Sequence, residues 1–86
     1  MVDLEFFVLM SALIRRVDMC NDQLNALHVI QNLPVDAAGH VEFAIDAQIA
    51  YILKIQKLVR EMYSDRFGYV CDYEEICDAT YHVLGR

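Results

Sequence analysis

The sequence predicts an all-α fold in which two long helices form an antiparallel hairpin and a short third helix follows. The first observation is the placement of Pro34, Gly39, Gly68 and Gly85, which divide the chain into segments free of proline and glycine. The second is periodicity, since apolar residues recur at helical spacing and the alternation typical of a β-strand is absent. The third is length, because 86 residues suffice for one domain only.

The first helix is predicted over about residues 3–33, the second over about 41–67, and the turn between them over 34–40. Pro34 ends the first helix because the residue before a proline is biased away from helical conformation. Each long segment carries apolar residues at alternating intervals of four and three, the heptad pattern of interlocking helices. The first seam consists of Phe6, Met10, Leu13, Val17, Cys20, Leu24, Leu27 and Gln31. The second consists of Val41, Ile45, Gln48, Ile52, Ile55, Val59 and Met62.

The two seams align in register when the chain folds back around residue 36. Leu13 then lies opposite Val59, and Leu24 lies opposite Gln48. Gln48 is polar, so its side chain either reaches solvent or a backbone group, or is buried by a partner helix and selects register. This matching of the two seams predicts the antiparallel hairpin.

The third helix is predicted over about residues 73–84. Asp72, followed three residues later by Glu75, has the spacing of a capping box at its start. Gly68 and Gly85 suit the left-handed conformation that ends a helix. One face of this helix is apolar and the opposite face is acidic, so we expect it to cover one surface near the open end of the hairpin.

The chain carries more apolar residues than a small domain needs. Hydrophobic residues make up 57% of it, whereas about 45–50% is usual. Contiguous exposed apolar patches mark association sites, so the sequence predicts a homodimer or higher oligomer, or a tightly held partner protein. The residues expected to mediate self-association are Leu4, Phe7, Val8, Ile14, Phe43, Ile49 and Leu53.

The charge balance excludes one class of partner and favours another. The net charge is −6, with a pI near 4.7, whereas a protein that binds duplex DNA needs a cluster of cations facing the phosphates. Lys54, Lys57 and Arg60 do cluster, but they have acidic neighbours. They either balance acids of this chain or a neighbouring one, or hold a small anion between subunits. A protein with a basic surface is the expected partner, and direct nucleic-acid binding is not expected.

No residue pattern predicts catalysis, a metal or a cofactor. Cys20, Cys71 and Cys77 are odd in number and lack a CxxC pair, so they are expected to be reduced, packed thiols. The run 6–14 is apolar but follows acidic residues and is too short to span a bilayer, so neither a signal peptide nor a membrane segment is predicted. These observations lead us to expect a cytoplasmic protein that is not an enzyme.

Tyrosine and acidic side chains concentrate near the end of the sequence. Residues 67–85 contain four acidic residues and no lysine or arginine. Tyrosine is common in binding hot spots because it offers a large rigid area and a hydroxyl group. These side chains either close the open end of the hairpin or form a partner-binding face. The residues predicted for that face are Tyr69, Tyr73, Glu74, Glu75, Asp78 and Tyr81.

Together these features lead us to expect a non-catalytic protein-interaction module. A small acidic helical protein is suited to act as an inhibitor or adaptor of a larger complex, for example as a viral or mobile-element inhibitor of host nucleic-acid-handling machinery. One alternative is a structural subunit that acts only through self-association. Another is a protein that binds an anionic small ligand at an oligomer interface through Lys54, Lys57, Arg60 and a tyrosine.

Overall fold

The computed structural model describes residues 3–31 and 38–85, and every regular element in these ranges is a helix. Helix α1 spans Leu4–Gln31, α2 spans Ala38–Phe67 and α3 spans Tyr73–Leu84. The predicted all-α class and its three helices are therefore confirmed. None of these helices combines the length and the apolarity that crossing a bilayer requires.

The start of α2 differs from the prediction. This helix begins at Ala38, so residues 38–40 of the predicted turn 34–40 are helical. Gly39 was taken as a helix breaker, but a glycine in the first turn costs only about 1 kcal/mol of helix propensity and removes no hydrogen-bond donor. The rest of the predicted turn, and the predicted end of the first helix at residues 32–33, lie outside the described residues.

The α1 and α2 seams form the core of the hairpin. Buried side chains from both helices contact one another in a single cluster, and seam residues dominate it. Its fully or largely buried members are Phe7, Met10, Val17, Cys20, Ile52, Ile55, Val59, Tyr63 and Ile76. Gln48 donates hydrogen bonds from Nε2 to the carbonyl oxygen of Cys20 (3.1 Å) and to Oε1 of Gln23 (2.8 Å). Its polar group is thus satisfied within the chain, next to the predicted partner Leu24.

Contacts at the open end of the hairpin tie the start of α1 to the end of α2. Asp3 accepts a hydrogen bond from the backbone nitrogen of Phe6 (3.1 Å), which caps the first turn of α1. The other carboxylate oxygen of Asp3 pairs with the guanidinium of Arg66. Gly68 ends α2 with φ of +79°, a conformation that glycine adopts without a steric penalty. The chain then crosses to α3.

Helix α3 packs more extensively against α1 than against α2. Ile76 and Thr80 are its buried residues, and Thr80 Oγ1 donates to the carbonyl oxygen of Ile76 (2.7 Å). Asp72 occupies the predicted N-cap position, but its side chain makes no capping hydrogen bond. Gly85 ends the helix with φ of +72°, as its position predicted.

The position of α3 corrects part of the predicted self-association surface. Phe7 and Ile14 are buried within the chain, so they are not available to a partner. Phe7 belongs to the same buried cluster as Ile76 of α3, and Ile14 is two turns from Phe7 on the same side of α1. The sequence indicated that α1 is apolar on several sides, and the third helix packs against one of those sides.

Candidate protein-binding surfaces

A cluster of aromatic rings closes the open end of the hairpin. The ring centroids of Tyr63 and Phe67 are 4.6 Å apart, and those of Phe6 and Phe67 are 5.6 Å apart in an edge-to-face arrangement. The hydroxyl groups of Tyr63 and Tyr69 lie 3.3 Å apart and share a hydrogen bond. This bond, followed by burial, raises the pKa of Tyr63 to about 12. The cluster provides a rigid base for the loop that follows α2.

That loop, residues 68–72, presents apolar side chains to solvent. Val70 is 84% exposed and Tyr69 is 55% exposed, although each is large and apolar. Tyr69 is held through its hydroxyl group and through an edge-to-face contact with Tyr63 (5.9 Å between centroids). A rigidly held exposed apolar group loses little conformational entropy when a partner covers it, which favours binding.

The acidic side chains of α3 lie beside this loop. Glu74, Glu75 and Asp78 are all exposed, and no ion pair joins them to another residue in the described ranges. Glu74 and Asp78 are one turn apart and therefore project from the same side of the helix. The loop and these carboxylates together form what we call the acidic–apolar surface, made of Tyr69, Val70, Glu74, Glu75 and Asp78.

Two of the predicted face residues differ in their placement. Tyr73 packs against the core, and its buried hydroxyl group has no hydrogen-bond partner among the described residues. Burial raises the pKa of Tyr73. Tyr81 is half-buried. The surface offered to a partner therefore centres on Tyr69 and the carboxylates, while Tyr73 anchors α3.

Val70 is the member of this surface that the sequence reasoning missed. It belongs to no heptad seam and to no helix face, so helical periodicity gave it no role. A signal was nevertheless present: a β-branched apolar residue stands in a short loop between Gly68 and the N-cap Asp72. Such a residue has no helix face to join and is exposed unless a neighbour folds over it.

One of the three thiols is buried in the core, and the other two have raised pKa values. Cys20 is buried in the core. Burial raises the pKa of both Cys71 and Cys77, and nearby Glu75 raises that of Cys71 further, so neither thiol is activated. No group of three or more potential metal ligands occurs in the described part of the chain.

The basic residues of α2 occupy a surface of mixed charge. Lys57 Nζ lies 3.9 Å from a carboxylate oxygen of Glu61, and both side chains are well exposed. Lys57 and Arg60 line a shallow depression that Glu61, Asp65 and the loop residue Val70 also line. Two carboxylates beside two cations leave little net attraction for an anion, which weakens the case for the small-ligand alternative.

The remaining residues predicted for self-association are exposed. Leu4, Val8, Phe43 and Leu53 are each more than half exposed, and Ile49 is exposed to a lesser degree. Phe43 lies toward the start of α2, whereas Leu4 and Val8 lie at the opposite end of the hairpin. Leu4 and Val8 are therefore separated from Phe43, whereas Ile49 and Leu53 are one turn apart on the same side of α2.

Comparison of the chain with protein-family models, with curated protein sequences and with solved structures finds no match.

Proposed function

We propose that the chain is a non-catalytic protein-binding module, and that the acidic–apolar surface is its partner site. One observation carries this proposal. Val70, the most exposed large apolar side chain in the described ranges, lies in the loop that leads directly into three exposed carboxylates. Val70 also lines a shallow depression with Lys57, Arg60, Glu61 and Asp65 of α2, so its surroundings are polar. An apolar anchor inside a polar rim is the usual composition of a specific interface.

The two parts of the surface have different roles in binding. Covering Val70 and Tyr69 supplies affinity, since burying one large apolar side chain contributes about 1.5–3 kcal/mol. The carboxylates of Glu74, Glu75 and Asp78 attract a basic partner, accelerate encounter and discriminate against acidic proteins. Tyr69 is already held in place by Tyr63, so little of this energy is spent on ordering it.

A partner with a basic surface fits this arrangement. Proteins that handle nucleic acids carry lysine and arginine clusters that contact phosphates. A small acidic protein can occupy such a cluster, so the role we propose is that of an inhibitor or adaptor of a larger complex of this kind. A viral or mobile-element inhibitor of host machinery is one example of that role.

A pair of charge reversals tests the proposal. Glu74→Lys with Asp78→Lys reverses two exposed acids one turn apart on α3. Glu42→Lys with Asp46→Lys reverses two exposed acids with the same spacing on α2 and changes the net charge equally. Tagged versions of the parent and both variants are used to capture proteins from the producing cell. A partner retained by the parent and the α2 variant, and lost by the α3 variant, supports the proposal.

The opposite pattern would overturn it. If both variants retain the same proteins as the parent, the α3 carboxylates do not contact the partner. If both lose them equally, net charge alone is responsible. Circular dichroism of each variant distinguishes lost binding from lost folding, because all four substituted residues are exposed and the helix content is expected to stay unchanged.

A second candidate function is assembly by self-association. It is favoured by the exposure of Phe43 and Leu53, which are apolar side chains on α2 away from the acidic–apolar surface. In that case Ile49→Glu with Leu53→Glu reduces the mass in solution to that of a smaller species, while Glu74→Lys with Asp78→Lys leaves it unchanged. Light scattering on the two variants separates this candidate from the first.

A further inference from the structure

One side of the hairpin carries two columns of exposed side chains, three of them apolar and one cationic, that nothing in the described structure covers. In α1 the column contains Leu9 and Arg16, and in α2 it contains Tyr51 and Leu58; each pair is two helical turns apart. The guanidinium carbon of Arg16 lies 5.9 Å from the centre of the Tyr51 ring, which places the columns side by side. Because the helices are antiparallel, Leu9 and Leu58 lie toward the same end of the hairpin. These four residues are called the groove face.

Helix α3 does not cover the groove face. Phe7 of α1 and Ile76 of α3 belong to the same buried cluster, which places α3 on the side of α1 that carries Phe7. Leu9 follows Phe7 by two residues, and two residues at 100° each place it on the opposite side of α1. The groove face and α3 are therefore on opposite sides of the hairpin. Leu9, Tyr51 and Leu58 remain 46%, 42% and 44% exposed.

The chain exposes more surface than a folded monomer of its size. Its accessible surface is 6163 Å², whereas a monomer of 9.9 kDa is expected to expose about 5,200 Å². Its radius of gyration is 16.1 Å, against roughly 12 Å for a compact domain of this length. The excess is of the order of the ~800 Å² that each partner buries in a standard dimer. One face of the hairpin is two helix diameters wide and about 42 Å long, which gives an area of about that size.

The charges around the groove face complement themselves. Along α1, exposed Glu5 and Arg16 lie on the same stripe as Leu9. Along α2, exposed Lys54, Lys57 and Glu61 line one shallow depression with Leu58, and Lys57 Nζ lies 3.9 Å from a carboxylate oxygen of Glu61 in the same chain. If a second copy packs antiparallel on this face, Glu5 of each copy meets Arg16 of the other, and Lys54 of each meets Glu61.

We propose that the groove face is the interface of a symmetric antiparallel homodimer, in which a second copy of this chain covers Leu9, Tyr51 and Leu58. The two hairpins form a four-helix core, and α3 of each copy lies on the outside. The acidic–apolar surface, which α3 carries, therefore stays accessible in the dimer. This proposal does not depend on the partner proposed for that surface.

The solution mass of the full chain tests the dimer, measured by sedimentation equilibrium over a range of concentrations. The parent is expected to have twice the mass of the 9.9 kDa chain. Leu58→Glu is expected to be a folded monomer, because it places a carboxylate in the interface. The matched control is Val29→Glu, an exposed valine on the side of α1 opposite Leu9, which is expected to remain a dimer.

A charge exchange tests the antiparallel arrangement independently. Lys54→Glu alone, or Glu61→Lys alone, is expected to weaken dimerisation roughly tenfold or more, since each places like charges together. The double variant Lys54→Glu/Glu61→Lys restores the opposite-charge pairs and is expected to recover the parent dissociation constant. Both residues are exposed, so folding is not at risk.

Three results would overturn the proposal. The first is a parent chain that stays monomeric at all concentrations, since the groove face would then be free or reserved for another protein. The second is a dimer that Val29→Glu disrupts and Leu58→Glu does not, because the interface would then lie away from the groove face. The third is a double charge variant that dimerises no more tightly than either single variant, which would exclude the antiparallel pairing.

Discussion

Replacement of Ile76 by alanine tests whether α3 is fixed to the hairpin, on which the acidic–apolar surface depends. Ile76 has no exposed surface and belongs to the same buried cluster as Phe7 and Val17 of α1. Thr80 is the other buried residue of α3, and it is polar. Ile76 is therefore the main apolar anchor of a helix with 12 residues.

The expected loss can be worked from the atoms removed. Ile76→Ala deletes three carbons, which is worth about 2.4 kcal/mol of transfer free energy. The cavity left behind raises the cost toward ~4 kcal/mol, within the usual range for such changes. Small domains have only about 5–15 kcal/mol of stability in total. An isolated helix as short as α3 is marginal in water, so an undocked α3 would also unfold.

Urea unfolding followed by circular dichroism measures both effects. Ile76→Ala is expected to lower the free energy of unfolding by about 3–4 kcal/mol. If α3 undocks before the hairpin unfolds, the ellipticity in buffer falls in proportion to its 12 residues, against 28 in α1 and 30 in α2. Val70→Ala, at an exposed position, is the control and should change stability by less than about 0.5 kcal/mol. Equal, small effects of the two changes would refute the docking of α3.

Three further predictions concern the tyrosines and the turn after α2. Tyr73→Phe removes a buried hydroxyl group that has no hydrogen-bond partner in the described ranges. In urea unfolding it should leave the free energy of unfolding unchanged or raise it by up to ~1 kcal/mol. Tyr63→Phe loses the hydrogen bond to Tyr69 and should lower the free energy of unfolding by about 0.5–1.5 kcal/mol. A larger loss of stability for Tyr73→Phe than for Tyr63→Phe would contradict this prediction. An unfolded tyrosine releases its proton near pH 10, whereas Tyr63 retains it to about pH 12; its contribution to stability is therefore complete below about pH 10 and is lost as the pH rises to about 12. Between about pH 10 and 12, the urea midpoint should fall less steeply with pH in Tyr63→Phe than in the parent. Identical slopes in the two proteins would exclude the ionisation of Tyr63 as the cause of the fall. Gly68→Ala should lower the free energy of unfolding by about 1 kcal/mol, because φ at this position is +79° even though the space around the new methyl group is open. Gly68→Asn should lower it less, because asparagine adopts this conformation more readily. A stabilising effect of the alanine would show that the turn relaxes to another conformation.

The heptad pattern was sufficient to predict the two long helices and the seam residues. Alternating intervals of four and three have a physical cause, since only residues on one stripe of a helix can meet a partner helix along its length. Val59 and Met10, for example, were placed in the seams and are fully buried. The start of α2 was missed because a glycine in a first turn weakens a helix without ending it.

The surfaces could be predicted only in part. Periodicity identifies an apolar side of a helix but not which later element covers it, so Phe7 and Ile14 were expected on the surface and lie in the core. Leu9 and Leu58 were overlooked because they stand beside the seams, where exposure depends on the side that α3 takes. Local sequence contains little information about that choice, which depends on the packing of three helices together.

Photo-crosslinking in the producing cell tests the central claim most directly. A photoreactive residue replaces Val70 in one version of the full chain and Val29, which is 69% exposed on α1, in the other. We expect a discrete crosslinked product between position 70 and a second, basic protein, and none from position 29. Its loss from position 70 in the Glu74→Lys/Asp78→Lys background would show that the carboxylates belong to the same site. Equal products from both positions, or a product from position 29 alone, would contradict the assignment of the acidic–apolar surface as the partner site.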